Sequence, residues 1–312
     1  LVHQGDWKKA LQNLLGTCNF PEFVGSTCPA PCEQACVLGV NEEPVAIKTI
    51  EHAIIEQGFA HGWVKPQMPT CSTGKKIAIV GSGPCGLAAA QQLNKVGHII
   101  NVFDRNEKPG GLLFYGVPNM KLDKSVVARR IELLENEGIV FRCGVPIGEH
   151  QEVSLGSLMQ EFDAVVLASG ASEPRGPDSK VNHSEMSGRN LKNIIQAQDF
   201  LAECSNHVSE SSNTVAPPPA NVEGRNVIVI GGGDVGVDAV GSALRLGAKS
   251  VLQFTRRIHA PSERSDHYLW PAWSDAFTVH YAHEEAEAVE DRDPREYDVQ
   301  VQDFIANKND AS

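Results

Sequence analysis

No stretch of the 312 residues runs for about 18 apolar positions, so no membrane-spanning helix is expected. Positive charge is also scarce. Against 39 Asp and Glu stand 27 Lys and Arg, for a formal net charge of -12. A nucleic-acid binder needs a basic face, and this balance argues against one. The stretch Leu1–Trp7 has neither an initiating Met nor an apolar signal core. The chain therefore reads as starting inside a longer protein, and its expected compartment is intracellular, the cytoplasm first. A secreted disulfide framework is also missing. Five of the eight cysteines (Cys18, Cys71, Cys85, Cys143, Cys204) are scattered, and three, Cys28, Cys32 and Cys36, lie close together. That pattern fits a reduced compartment and a metal or cluster site.

What is present has a clear order. Trp7, Leu11, Leu14 and Leu15 have helical spacing over Asp6 to Leu15. A Cys/Pro-rich loop is expected from Phe20 to Cys36. Asn41 then offers a side-chain oxygen as a helix cap, before an apolar stripe of Val45, Ile47, Ile50, Ile54 and Ile55. Gly58 and Gly62 mark the exit, and Lys65 to Gly74 reads as a linker. Two strand–glycine–helix starts follow, about 150 residues apart. The first is Lys76–Val80, a turn at Gly81 to Gly86, a helix over Leu87 to Val96 and a strand at Ile99–Phe103. The second is Asn226–Ile230, a turn at Gly231 to Gly236, a helix over Val237 to Leu246 and a strand at Ser250–Phe254. Between them, 204–224 reads as a surface loop, with several serines and Pro217–Pro219.

Each glycine turn has the residues that a dinucleotide needs. In Gly81-Ser82-Gly83-Pro84-Cys85-Gly86, Gly81 permits the tight turn, Gly83 lets backbone approach a pyrophosphate, and Gly86 lets the helix pack close to the strand. The helix N-terminus offers free N–H groups to the phosphates. Asp104, just past the second strand, can accept from ribose hydroxyls. The second turn is Gly231-Gly232-Gly233-Asp234-Val235-Gly236, but its ribose position reads Thr255-Arg256-Arg257. Arginine there pairs with a 2′-phosphate, which favours NADPH over NADH. Two such folds on one chain have a natural use: one holds a flavin and the other presents a nicotinamide to it for hydride transfer. The three cysteines form a C-x-x-x-C-x-x-x-C run. Thiolates are soft ligands for zinc or iron–sulfur clusters, and three is one short of the usual four. No side chain stands out as a catalytic acid, base or nucleophile.

Together these segments resemble one family. Phe20-Pro21-Glu22-Phe23-Val24-Gly25, Cys28-Pro29-Ala30-Pro31-Cys32-Glu33 and Ala35-Cys36-Val37-Leu38-Gly39 are similar to the iron–sulfur segment of glutamate synthase. The resemblance continues through Gly110-Gly111-Leu112-Leu113, Tyr115–Pro118, Lys121-Leu122, Ala168-Ser169-Gly170-Ala171, the Gly231–Asp234 turn, Trp270–Trp273 and His283-Glu284-Glu285. It covers nearly the whole chain in order.

The resemblance implies an α/β fold. A helical iron–sulfur segment over 1–70 precedes two Rossmann-like domains, an FAD-binding one over 75–190 and an NAD(P)H-binding one over 191–312, both in part. It implies FAD at Gly81, Ser82, Gly83, Pro84, Gly86 and Asp104, with further contacts from Gly110, Gly111, Leu112, Lys121, Ala168 and Gly170. NADPH or NADH would lie at Gly231, Gly233, Asp234, Gly236, Arg256 and Arg257. The 4Fe-4S ligands would be Cys28, Cys32 and Cys36, with the remaining cluster cysteines upstream of Leu1. The partner would be an FMN-containing synthase domain or subunit that makes L-glutamate from 2-oxoglutarate and glutamine. Other readings are an electron-input module of the same superfamily feeding a different acceptor, and a non-catalytic binding or assembly fragment. The family usually has Glu at Asp104, Arg at Phe114 and Thr at Val235.

Overall fold

The apolar run Lys76–Val80 buries three consecutive residues, Ile77, Ala78 and Ile79. A strand covered on both faces does this, and a parallel sheet flanked by helices is the usual setting. The computed structural model describes residues 1–171, 173, 187–210, 222–272 and 274–306. They divide into two compact units, 1–171 with 270–273, and 172–269 with 274–312.

The first unit opens with helices α1 (Trp7–Leu15), α2 (Pro21–Thr27), α3 (Pro31–Gln34) and α4 (Ile47–Ala60). Strand β1 (Lys76–Val80) leads through α5 (Pro84–Lys95) to β2 (Ile99–Phe103). Then come α6 (Leu112–Tyr115), α7 (Lys124–Asn136), β3 (Val140–Arg142), α8 (Leu155–Glu161) and β4 (Ala164–Leu167). The sheet is parallel throughout, in the order β3-β2-β1-β4. The second unit has α9 (Ala197–Glu210), β5 (Asn226–Ile230), α10 (Asp234–Arg245), β6 (Ser250–Phe254), α11 (Tyr281–Glu290) and β7 (Arg295–Glu296). Its sheet is also parallel, in the order β5-β6-β7.

The two starts repeat at atomic detail. Gly81 N donates to Phe103 O and Gly231 N to Phe254 O, at 2.7 and 2.9 Å. Val80 pairs with Phe103 and Ile230 with Phe254. The glycine turns thus leave their sheets from matching positions, above the C-terminal ends of the strands. Such ends are where open α/β sheets bind ligands.

Several local expectations need correction. The expected loop from Phe20 to Cys36 contains α2 and α3, each started by a proline at its first position, where the missing N–H costs nothing. Asn41 does not cap the helix that follows. It ends a 3-10 turn at Val37–Val40, and α4 begins only at Ile47, after a tight turn at Ala46 closed by Ile47 N donating to Val45 O. Gly58 lies inside α4 rather than at its exit. A side chain there would meet Leu11 of α1 at 2.8 Å, so this glycine serves close helix packing. The first part of the expected 204–224 loop is helical to Glu210, because Phe200 and Leu201 bury the face of α9. Residues 211–221, with Pro217–Pro219, lie outside the described residues.

Helices α1 and α4 pack on a cluster of their own around Leu11 and Ile55, while the α2 region shares the core of the sheet. Phe20 and Phe23 of the α2 region pack with Ile77, Ile79, Leu87, Val102 and Leu134. A buried ion pair fixes this contact. Arg130 Nε of α7 meets Glu22 Oε1 at 2.5 Å, with side chains 2% and 0% exposed. The Arg130 guanidinium also faces the rings of Phe20 and Phe59, at 5.4 and 5.3 Å. Its neighbour in the chain, Arg129, pairs with Glu56 at 2.7 Å and stacks on Phe59. Breaking a buried pair strands a charge. Glu22→Ala should therefore destabilise the protein by about 3–5 kcal/mol in urea unfolding, and the double variant Glu22→Leu/Arg130→Met by clearly less.

Candidate functional site

At the end of β1 the chain must turn sharply beneath a helix. Gly81 does so with φ at +106°, and a side chain there would run into the Ala168 carbonyl at the end of β4. Gly86 lies in the first turn of α5, where a Cβ would collide with Gly81 O. These two glycines press the helix start onto the strand end. Gly83 differs. It is the N-cap of α5, followed by Pro84, and nothing lies within 4 Å of a Cβ built on it. The open space above it adjoins the unpaired N–H groups of a helix start, a setting that suits an anion.

Ser82 and Asp104 tie this turn together. Asp104 Oδ2 accepts from Ser82 N at 2.8 Å and from Ser82 Oγ at 2.5 Å, and its Oδ1 accepts from Asn106 N at 2.9 Å. Ser82 Oγ in turn accepts from Gly110 N at 3.0 Å. Gly111, with φ at +54°, would bring a Cβ within 2.7 Å of Gly83 Cα. Gly81, Ser82, Gly83, Asp104, Gly110, Gly111 and Ala168 therefore converge. Gly170 follows β4 with φ at +67° and open space around it. Leu112 is half exposed, at the start of α6. Lys121 is farther along this strap, where its N–H donates to Pro118 O. Asp104 was expected to reach a ribose. It accepts three hydrogen bonds within the turn, and a carboxylate with about four acceptor sites keeps capacity for one more.

Two features here were not read from the sequence. One is the Ser82–Asp104–Gly110 knot. The other is Lys124, buried at the start of α7, whose Nζ donates to Leu113 O at 3.0 Å and to Val117 O. Burial pushes its pKa down to about 8. It clamps the 112–117 strap from below.

The second turn repeats the first with different fittings. Gly231 has φ at +127°, Gly233 is the N-cap of α10 with open space around it, and a Cβ on Gly236 would collide with Gly231 O. Asp234 is exposed in the first turn of α10. Where the first turn pairs Ser82 with Asp104, this one sets Gly232 against Thr255, whose Oγ1 is 2.6 Å from a built Cβ. Arg256 and Arg257 follow Thr255 and both are exposed. Below the turn, Gln253 Nε2 donates to Gly231 O at 2.8 Å, and His283 Nε2 meets Gln253 Oε1 at 2.7 Å. Gln253 was also missed. A glutamine inside the otherwise apolar run Val251–Phe254 was the available signal.

The three cysteines are not gathered in the same way. Cys28 ends α2, Cys32 is exposed in α3, and Cys36 precedes the 3-10 turn. Among the described residues, no group of three or more His, Cys, Asp or Glu is placed to hold a metal ion. The donor chemistry is that of a cluster site. N–H groups of Val45, Leu38 and Gly39 bond the Cys36 sulfur and hold its pKa below that of an ordinary thiol, and Ala30 N donates to Cys28 Sγ at 3.3 Å. The set of three is incomplete for a 4Fe-4S cluster. Cys18 is half-buried with a raised pKa, because burial disfavours its thiolate.

Comparison with known proteins fits this geometry. Residues 75–277, more than half of the chain, match the family described as pyridine nucleotide-disulphide oxidoreductase. The chain belongs to this family. Residues 1–63 match a second, described as dihydropyrimidine dehydrogenase domain II, 4Fe-4S cluster. The pyridine nucleotide-disulphide oxidoreductase match fits FAD and NAD(P)H as cofactors, and the N-terminal match fits a 4Fe-4S cluster. The chain is 47% identical to the glutamate synthase [NADPH] small chain of Bacillus subtilis, over 99% of this chain and 61% of that one. It is 45% identical to glutamate synthase [NADH] of Schizosaccharomyces pombe, over 97% of this chain and 14% of that one. It thus spans less than two thirds of either relative. Among solved structures, 2-naphthoyl-CoA reductase shares the fold at a TM-score of 0.51 and 18% identity, over 76% of this chain and 30% of that one. No helix among the described residues is long and apolar enough to cross a membrane.

The two kinds of glycine make a clean test of the first turn. Gly83→Val should leave the apoprotein's melting temperature nearly unchanged, because the side chain meets nothing, yet abolish FAD retention. Gly86→Val should lower the melting temperature itself, since backbone must move. The second unit should respond to pH through His283, which is 3% exposed. Burial, then Arg295 and His280, push its pKa down to about 4, against a smaller opposing effect of Asp293. The unfolded chain binds this proton from about pH 6.5 and the folded chain only near pH 4. Stability from this group is thus full above about pH 6.5 and is lost as pH falls toward 4. The loss should be on the order of 2–3 kcal/mol, read from unfolding curves across that range and removed in His283→Gln.

Proposed function

We propose that this chain is the electron-input region of a glutamate synthase. In this reading FAD lies at the first turn (75–190) and a nicotinamide donor at the second (191–312). Cys28, Cys32 and Cys36 contribute to a 4Fe-4S site completed by residues outside this chain. The partner is an FMN-containing synthase domain or subunit that forms L-glutamate from 2-oxoglutarate and glutamine. FAD, when bound, supplies the acceptor for a hydride and passes its electrons onward singly. Eight free thiols suit a reducing compartment such as the cytoplasm.

The observation that carries this reading is that the two turns share one backbone geometry and differ at the sugar-reading position. The first ends its second strand in an acid, Asp104, tied to Ser82 and buried. Gly83 and the start of α5 offer N–H groups to a pyrophosphate, and Gly110 and Gly111 cover the turn without a side chain in the way. The second ends in Thr255, Arg256 and Arg257. An acid there would repel a 2′-phosphate. Thr255 removes that repulsion and two exposed guanidiniums replace it. The named relatives include both an NADPH and an NADH enzyme at nearly equal identity, so overall likeness does not decide the donor. The local chemistry favours NADPH.

Anaerobic mixing of the full-length protein with NADPH should bleach the flavin absorbance, and adding 2-oxoglutarate and glutamine should reoxidise it with formation of glutamate. Reduction without any glutamate would remove the synthase assignment. A charge-assisted hydrogen bond is worth about 1.5–3 kcal/mol. Arg256→Ala and Arg257→Ala together should therefore weaken NADPH about ten- to a hundredfold and leave NADH nearly unchanged. A clear NADH preference that survives both substitutions would withdraw the donor assignment.

A further inference from the structure

Positions 231–233 are three glycines in succession, so the backbone there has unusual freedom to reorient its peptides. The first turn restrains itself through the Ser82 side chain and Asp104. The second has no side chain to do so, and its restraint comes from the sheet below. Gln253 lies wholly buried on β6, paired in register with Val229 of β5. The matching position in the first unit is Val102, paired with Ile79 and also wholly buried, which makes no hydrogen bond from its side chain. The glutamine is thus a feature of the second turn alone.

The hydrogen bonds fix every proton in this chain of groups. Gly231 O only accepts, so Gln253 must present its amide nitrogen to it and its amide oxygen to His283. His283 must then donate from Nε2. Its Nδ1 is buried without a hydrogen-bond partner. A proton on Nδ1 would be an unsatisfied buried donor beside Arg295, which costs about 1–3 kcal/mol. The Nε2–H tautomer is therefore the favoured one, and it holds the Gln253 amide in a single orientation. Flipping that amide would set its oxygen against Gly231 O.

The consequence falls on the turn. A trans peptide holds its C=O and N–H antiparallel. With Gly231 O drawn toward Gln253 in the core, Gly232 N–H points the opposite way, toward the mouth of the turn, where Gly233 has open space. We propose that Gln253 and His283 are positioning residues of the pyridine-nucleotide site. Gln253 orients the Gly231–Gly232 peptide so that its N–H faces a ligand phosphate, and His283 locks the Gln253 amide in the orientation that does so. This rests on the second turn being the donor site.

The test uses the full-length, FAD-loaded protein, with ferricyanide as electron acceptor. The readouts are KM and kcat for NADPH, the Kd for NADP+ and the FAD content. Gln253→Met keeps the volume and loses both hydrogen bonds. It should raise KM and Kd about tenfold, with kcat at saturation within about twofold and FAD content unchanged. His283→Leu should raise Kd in the same direction. His283→Gln puts an amide N–H near the position of Nε2–H and should restore Kd to within about twofold of wild type. A folded Gln253→Met with unchanged Kd overturns the role of Gln253. If that variant does not fold, Gln253→Glu, which still accepts from His283 but has no donor for Gly231 O, decides by the same criterion. If neither folds, the His283 pair decides: a Kd unmoved in His283→Leu, or His283→Gln as weak as His283→Leu, overturns the relay. Wild type that binds neither NADP+ nor NAD+ fails the donor-site reading itself and this inference with it. Wild type that binds while the variants match it fails only the positioning role.

Discussion

The approach of a helix start to a glycine carbonyl governs this molecule. Gly86 lies against Gly81 O and Gly236 against Gly231 O, in each case closer than any side chain allows. That approach sets the first N–H groups of α5 and α10 directly above the ends of β1 and β5. Helix N-termini carry unpaired N–H groups and a positive dipole end. Both sites of interest follow from where those ends are held. The flanking strands, the crossover helices and the buried Leu87 and Val237 are the frame that keeps them there.

On one shared backbone, the two turns solve the same problem with different chemistry. In the first, a serine and an aspartate knot the turn from above, and the aspartate accepts three hydrogen bonds in doing so. In the second, the same pair of positions is glycine and threonine, which removes the negative charge from the end of the second strand beside Arg256 and Arg257. Restraint then has to come from below, and a buried glutamine and histidine occupy the strand and helix beneath. Selectivity for a sugar and rigidity of a turn compete for the same positions. Where a side chain is removed to admit a ligand, the lost restraint has to be restored by another element.

Much of this was legible in the chain itself. Strands β1, β2, β5 and β6 were readable to the residue, because continuous apolar runs bounded by glycine have few alternatives. The tight turn at Gly81 and the close helix packing at Gly86 followed from spacing. What the sequence hid was of two kinds. Short elements such as α2, α3, β3 and β7 carry too few residues to show a period, and tertiary packing decides them. Side-chain partnerships were hidden too. Asp104 was read as a ribose ligand from its place after β2, while its hydrogen bonds from Ser82 and Asn106 are visible only in the folded geometry. The cysteines showed a spacing and a chemistry, while their convergence depends on how α2, α3 and the following turn are set.

The shared core of the α2 region and the first sheet bears on how such proteins are assembled in evolution. Phe20 and Phe23 fill the same interior as Ile79 and Leu134, and Glu22 is buried against Arg130. A recombination event that moved the cysteine segment alone would carry off two aromatic rings and a carboxylate with no water to solvate it. It would also leave a cationic hole in the nucleotide fold. The heritable module is therefore the segment and the fold together, and the seam between modules falls elsewhere than at the proline-rich linker.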